Sequence, residues 1–388
     1  MKEQKIATLQ YNYLPKQYQA NNQLPINHNY LPQQFSDSEA IIDEIKELVK
    51  RGDFTLGQAV DDLEDEFKKI TQTKFAIGVG SGTDAIFLSL KAAGIDKGHE
   101  VITVPYTFYA TIGAIVTAGA TPVFVDVGPD YNIDPEKIEA AITSRTKAIV
   151  PVHWSGLLCD MDRIHKIAEK YNLFIVEDAC HAINAQRNNI RAGTLGSTAC
   201  FSMHPLKNLN VWGDGGMIVT NSKKLYKKLM LLRNHGLVGR DLCELFAYNS
   251  RLDTLQAIVG KYLLMRIDEI TKARIGNANY FDEHLTNIPQ ITVPVRFPNT
   301  RQVFHIYVIR VEQRDELQQF LIEQGIDAKV HYPVPMHLQP AAKKYGYKEG
   351  DFPLAEAICK SILSLPVHEF INMDQRKFVV DKIIDFYR

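Results

Sequence analysis

The sequence predicts an α/β protein: a mostly parallel seven-stranded sheet in a large domain, followed by a smaller C-terminal α/β domain. Strand-like apolar runs recur at Phe75–Val79, Val101–Pro105, Pro122–Asp126, Ala148–Val152, Phe174–Glu177, Ala199–Ser202 and Met217–Thr220. Helical stretches such as Ala85–Ala93, Pro135–Ala141 and Met161–Tyr171 separate most of them, which is the rhythm of β-α-β units. Past the last run, a helical stretch from about Asp253 to Asn287 leads into a tail. The tail has strands expected near Gln302–Arg310 and Ala328–His331 and helices near Arg314–Gln324 and Met373–Tyr387. The expected division is an N-terminal arm over 1–36, a large domain over 37–252, and a linking helix with the small domain over 253–388.

The first strand feeds the turn Gly80-Ser81-Gly82-Thr83-Asp84 and then a helix. The first amides of a helix have no acceptor within it, and the helix dipole adds positive charge there. The turn is therefore an anion site to which Ser81 and Thr83 add hydroxyls. It matches neither GxxxxGK[ST] nor GxGxxG. The fifth run, Phe174-Ile175-Val176-Glu177-Asp178, leads apolar residues straight into two carboxylates, as a buried strand delivering acid at its end. Alternation points Glu177 and Asp178 to opposite faces, so only one of them reaches a given ligand.

The sixth run continues as Phe201-Ser202-Met203-His204-Pro205-Leu206-Lys207-Asn208-Leu209 and then Gly213-Asp214-Gly215-Gly216. Lys207 is held in a loop at a strand end, between apolar neighbours. Poor solvation of an ammonium lowers its pKa and frees the amine as a nucleophile. A lone lysine in such a place is more often a surface residue. An acid and an anion cradle at the carboxyl ends of the same sheet change the balance, because ligands of such sheets sit there. The chemistry that uses all three is a Schiff base with pyridoxal phosphate (PLP), whose ring nitrogen needs an acid beside it.

The chain resembles the DegT-type, PLP-dependent nucleotide-sugar aminotransferases of the aspartate aminotransferase superfamily, from about Phe35 to the C-terminus. The motifs appear in order as Gly52-Asp53-Phe54-Thr55-Leu56-Gly57, Gly80-Ser81-Gly82-Thr83-Asp84-Ala85, Thr107-Phe108-Tyr109-Ala110-Thr111 and Pro122-Val123-Phe124-Val125-Asp126. Glu177-Asp178-Ala179-Cys180-His181, His204-Pro205-Leu206-Lys207-Asn208, Tyr248-Asn249-Ser250-Arg251-Leu252-Asp253 and His331-Tyr332-Pro333 complete the set. The resemblance implies the fold-type-I PLP transferase fold. It implies that Lys207 is the Schiff-base lysine and proton shuttle and that Asp178 pairs with the pyridine nitrogen. Phe108 would stack on the ring; Gly82, Thr83 and Ser202 would hold the phosphate, and Asn249 would reach it from a partner subunit. Position 181, often Gln in the family, is His181 here, and an imidazole can also hydrogen-bond the cofactor's ring hydroxyl. Substrate contacts would come from Thr55, Trp154, Tyr332 and His337.

The implied reaction moves an amino group, from L-glutamate, to a nucleotide-linked keto-sugar, with pyridoxamine 5'-phosphate as the cofactor's second form and a homodimer sharing its active sites. Two rivals stand beside it. PLP-dependent sugar dehydratases of the same family carry His where this chain has Lys207. A non-catalytic PLP- or sugar-binding regulator would need no turnover, and no basic helix-turn-helix region is visible.

The rest of the sequence agrees. The net charge of −1 and pI near 6.9 over 388 residues argue against nucleic acid as a partner. Cys159, Cys180, Cys200, Cys243 and Cys359 are odd in number, form no CxxC, and read as reduced thiols. The opening Lys2-Glu3-Gln4-Lys5 is no signal peptide, and the apolar stretch Phe108–Ala120 is too short to span a bilayer. A cytoplasmic enzyme without membrane contact is expected. His331 and His337 lie in a proline-braced loop with no Glu or Cys to complete a ligand set, so no metal is expected. Trp154 either packs in the core or lines the pocket. Arg233 either ends a helix that Gly236 turns or meets a substrate phosphate. Asn12-Tyr13-Leu14-Pro15-Lys16-Gln17-Tyr18 is nearly repeated as Asn29-Tyr30-Leu31-Pro32-Gln33-Gln34-Phe35.

Overall fold

The computed structural model describes residues 25–388. The first of the two near-repeats, Asn12–Tyr18, lies outside the described residues. All seven sheet strands form: β1 (Phe75–Val79), β2 (Glu100–Thr103), β3 (Thr121–Phe124), β4 (Thr146–Ile149), β5 (Phe174–Asp178), β6 (Thr198–Ser202) and β7 (Gly216–Thr220). Their order in space is β1-β7-β6-β5-β4-β2-β3. The pairs β2–β3, β2–β4, β4–β5 and β5–β6 are parallel, while β7 runs antiparallel to both β1 and β6. Helices cover both faces, which is why the strands read as unbroken apolar runs rather than alternating ones.

On one face lies α3 (Gly82–Ala92), buried on most sides against Ile77 and Val79 of β1, Cys200 of β6 and Ile218 of β7. Leu88 and Leu90 are fully buried there, which contributes about 2 kcal/mol for each side chain. On the other face, α1 (Glu39–Arg51) sends Ile41 and Leu48 into the core where α2 (Gln58–Thr71) packs Val60, Leu63 and Phe67 against Phe201 and Met217. The loops that follow β1, β4, β5 and β6 open at one edge of the sheet, and the functional residues gather there.

The stretch predicted as one helix from Asp253 to Asn287 is two helices, α7 (Thr254–Leu264) and α8 (Ile267–Leu285), taking α4 (Tyr109–Thr117), α5 (Met161–Tyr171) and α6 (Lys223–Arg233) as the intervening ones. The break falls at Met265 and Arg266, where Arg266 leaves helical geometry at φ −102° and ψ 1°. No glycine or proline marks it, and the apolar spacing carries straight through. Helix α7 belongs to the core beneath the large sheet, whereas α8 faces a separate core with Ile309, Leu363 and Val379.

That second core surrounds a three-stranded antiparallel sheet, in order β8 (Ile291–Thr292), β9 (Tyr307–Val311) and β10 (Ile362–Leu365). Helices α9 (Arg314–Glu323), α10 (Pro353–Ser361) and α11 (Met373–Tyr387) flank it. Asn372 and Gln375 form a reciprocal capping box at the start of α11. The strand expected at Ala328–His331 is reduced to a single bridge between Lys329 and Ser364. The ladder position goes instead to β10, which follows α10 with no turn residue between them and so reads as more helix.

Candidate active site

A cavity of about 1450 Å³ lies beyond the carboxyl ends of β5 and β6. Ser81, Gly82 and Thr83 form one wall. Ser81 caps α3, its Oγ accepting from the Asp84 amide at 3.0 Å, which leaves the Gly82 and Thr83 amides without an intrahelical acceptor. Asp84 is fixed in turn by the Ser250 hydroxyl at 2.9 Å. Gly82 has to be glycine: a Cβ there would lie 2.6 Å from Ser202 Cβ, so the turn and the end of β6 touch through bare backbone.

Asp178 ends β5 and points into the cavity. Its Oδ2 accepts from the Thr111 hydroxyl at 2.8 Å and its Oδ1 from the Cys180 amide at 3.2 Å. Thr111 is itself within 2.8 Å of the Thr107 hydroxyl. Glu177 points the other way, fully buried, where it accepts from the Gly193 amide at 3.0 Å and the Leu195 amide at 2.9 Å and meets His153 Nε2 at 3.0 Å. The alternation of one strand thus gives one carboxylate to the cavity and the other to the loop at 193–196.

Lys207 stands opposite, in a loop whose backbone is pinned by Lys207 N–H to His204 O at 3.0 Å and Met203 N–H to Gly215 O at 2.8 Å. Desolvation depresses its pKa below the usual lysine value, with Cys180 and Asp178 partly opposing the shift. His181 is held neutral: burial comes first and the nearby Lys207 charge second in pushing its pKa well down. Its Nδ1 has no hydrogen-bond partner although buried, and its ring lies 4.3 Å from that of His305. Phe108 precedes α4 and is 46% exposed, its ring 5.6 Å from that of Tyr332 across the cavity mouth.

The cavity therefore brings together Gly82, Thr83, Phe108, Asp178, His181, Ser202, Lys207 and Tyr332. Four expected residues do not line it. Trp154 is buried behind the wall, its ring 4.4 Å from Tyr106 and 5.3 Å from His181, so of the two alternatives it takes the core one. His337 is buried between Phe352 and Glu356, with Nε2 3.0 Å from Glu356 Oε1. His337 does not line the cavity from which a substrate contact was expected, and its imidazole meets Glu356 instead. Thr55 and Asn249 are exposed on the surface, bridged through their backbones to Asp253 and Asn234. Arg233 is also structural, buried and paired with Glu64 at 2.5 Å.

Sequence reading missed several cavity residues: His28 and Tyr30 from the N-terminal segment, Arg274 from α8, and His305, Lys329 and His368 from the small-domain region. The second NYLP-like copy was the available signal for Tyr30. Thr111 stood inside a quoted motif, four residues after Thr107, the spacing of one helix face. Among the described residues, no group of three or more His, Cys, Asp or Glu is arranged to hold a metal ion, and no helix is long and apolar enough to cross a membrane.

Residues 36–384 match the DegT/DnrJ/EryC1/StrS aminotransferase family. The chain belongs to that family. A Geobacillus stearothermophilus protein named "Pleiotropic regulatory protein" is 43% identical, across 89% of this chain and 93% of its own. The dTDP-3-amino-3,4,6-trideoxy-alpha-D-glucose transaminase of Streptomyces venezuelae is 39% identical, across 87% of this chain and 90% of its own. Among solved structures, S. venezuelae DesV in complex with a ketimine intermediate superposes with a TM-score of 0.90 at 37% identity, covering 94% of this chain and 99% of that one. The fold is accordingly that of the fold-type-I aminotransferases.

Proposed function

We propose that this family member is a PLP-dependent aminotransferase that moves an amino group from L-glutamate to a nucleotide-linked keto-sugar, serving amino-sugar or polysaccharide biosynthesis. The observation that carries the reading is the meeting of Lys207 and Asp178 in one cavity, beside a helix-start anion cradle. The residues fit the cofactor: the Gly82 and Thr83 amides have no acceptor within the helix and can meet a phosphate, and the buried Nδ1 of His181 has no hydrogen-bond partner. When bound, PLP supplies an electron sink and carries the amino group between the two halves of the reaction.

The chain supplies the rest. Lys207 would hold the cofactor through its Nζ and, when freed, would take up and return a proton at that atom, a role that the lowering of its pKa by burial favours. Asp178, oriented by the Thr111 hydroxyl and the Cys180 amide, would hold a proton on the ring nitrogen. Phe108 provides the stacking face, Ser202 a phosphate hydroxyl, and Tyr332 faces the sugar. Asn249 serves the phosphate of a second copy in a homodimer, and Thr55 faces that copy's substrate. The five free thiols suit a reducing cytoplasm. The regulatory name of one relative does not displace this reading, since a regulator needs no poised lysine. The presence of Lys207 speaks against the dehydratase alternative.

The test is direct. Protein purified with PLP should be yellow, borohydride should fix the cofactor on Lys207, and glutamate should drive amination in a panel of keto-sugar nucleotides. A Lys207→Ala chain that still transaminates would end the assignment.

A further inference from the structure

We infer that the segment Ile26–Gln34 is part of the lysine's own machinery, with Tyr30 as the positioning residue that sets the Lys207 loop. Tyr30 is buried, and its hydroxyl is shared between the carbonyls of Leu206 at 3.4 Å and Lys207 at 3.3 Å. Burial raises the phenol's pKa, so it remains a donor. Arg274 donates to that same hydroxyl at 2.6 Å, a charge-assisted bond that orients the oxygen and polarises its proton toward the carbonyls.

A second arm reaches the same carbonyl. Asn210 Nδ2 donates to Lys207 O at 3.0 Å and to Gln34 Oε1 at 2.7 Å. The Lys207 carbonyl is therefore addressed twice, both times through a residue of this one segment. The loop needs such holding, because Leu206 sits at φ 75°, a left-handed conformation that costs a leucine free energy.

The segment is anchored elsewhere. Ile26 pairs with Ile326, the His28 amide donates to Asp327 Oδ2 at 3.1 Å, and Gln34 Nε2 donates to Glu369 at 3.0 Å. It thus ties the small-domain region to the lysine loop. Removing the Tyr30 hydroxyl should loosen the loop, let the ammonium reach water, and spoil its aim at the cofactor.

The inference rests on Lys207 being the amine that holds PLP, and the experiment separates the two. In the full-length chain stripped of cofactor, the pH midpoint for labelling of Lys207 by an amine-reactive anhydride is read by mass spectrometry. The glutamate half-reaction of the reloaded enzyme is followed alongside. For Tyr30→Phe the labelling midpoint should rise by about half a pH unit as solvation is regained. Turnover should fall about tenfold through misplacement of the amine, with the KM for glutamate unchanged. Asn210→Ala should act in the same direction, and the double variant should fall short of the sum, because both groups bear on one carbonyl. If Tyr30→Phe unfolds, Asn210→Ala carries the same test alone. A folded variant with wild-type midpoint and wild-type turnover would overturn the inference. Failure of borohydride to fix PLP on wild-type Lys207 would overturn the reading of the lysine, and the inference with it.

Discussion

The Thr111 hydroxyl donates to Asp178 Oδ2 at 2.8 Å, and nothing in the strand that carries Asp178 would place it there; the donor comes from the first turn of α4. If Asp178 is to pair with a ring nitrogen, as proposed, its carboxylate has to stay aimed. A hydroxyl donor fixes that aim from outside the strand.

Asp178→Asn should therefore lower turnover by several orders of magnitude while leaving the fold and much of the cofactor affinity in place. Thr111→Val should cost about tenfold in turnover, the worth of one hydrogen bond to a charged group. Glu177→Gln should act on stability instead, since Glu177 closes the loop at 193–196. A larger catalytic loss for Glu177→Gln than for Asp178→Asn, measured in the glutamate half-reaction, would reverse the two roles.

Gly82→Ala places a methyl 2.6 Å from Ser202 Cβ. Overpacking of this kind costs about 1–3 kcal/mol, and it falls at the turn proposed to hold the phosphate. PLP affinity, read by absorbance titration, should weaken roughly tenfold or more on that cost. Gly113→Ala in α4 meets no atom within 4 Å and serves as the control, with unchanged affinity.

Asn249 is exposed, next to Ser250, whose hydroxyl braces the turn at 80–84 through Asp84. If Asn249 serves a second copy, Lys207→Ala and Asn249→Asp chains should each be inactive and regain activity when their subunits exchange. Each mixed dimer then holds one site free of both lesions. Exchange demonstrated independently with no regained activity would show that Asn249 serves its own site or none.

His28, His331 and His368 sit close together at the cavity, and burial first of all pushes each from 6.5 to about 3, helped by Lys329 or Arg274. The sign follows from proton counting. Below pH 6.5 the unfolded chain takes up protons that the folded chain refuses until about pH 3, so stability falls as pH drops through that window. Denaturant midpoints measured from pH 7 downward should decline steeply. His368→Gln should make the decline shallower; an unchanged slope would count against it.

The parts of this protein that were legible in the sequence are those whose signal is local. A strand, a glycine turn and a helix start announce an anion cradle within ten residues, and alternation separates Glu177 from Asp178. What escaped arrives from a distance. Tyr30 and Arg274 meet the Lys207 loop only because the chain folds back over it, and no spacing records that. His337 misled because the chain after Tyr332 carries it to Glu356 and Phe352, a contact no local spacing records. The break at Met265 has no breaker residue, and β10 has no turn before it, so neither left a mark in periodicity.

The alternation on β5 has a further consequence for how the chain reaches its native state. Register in a sheet is a parity, and a slip of one residue exchanges the two faces. Slipping β5 against β6 would send Glu177 toward the cavity and Asp178 toward the loop at 193–196, with the helices and most of the apolar contacts still formed. Such a chain would have normal helical content and no colour. Cofactor colour therefore reads out strand parity in a refolding experiment, a property that circular dichroism cannot see.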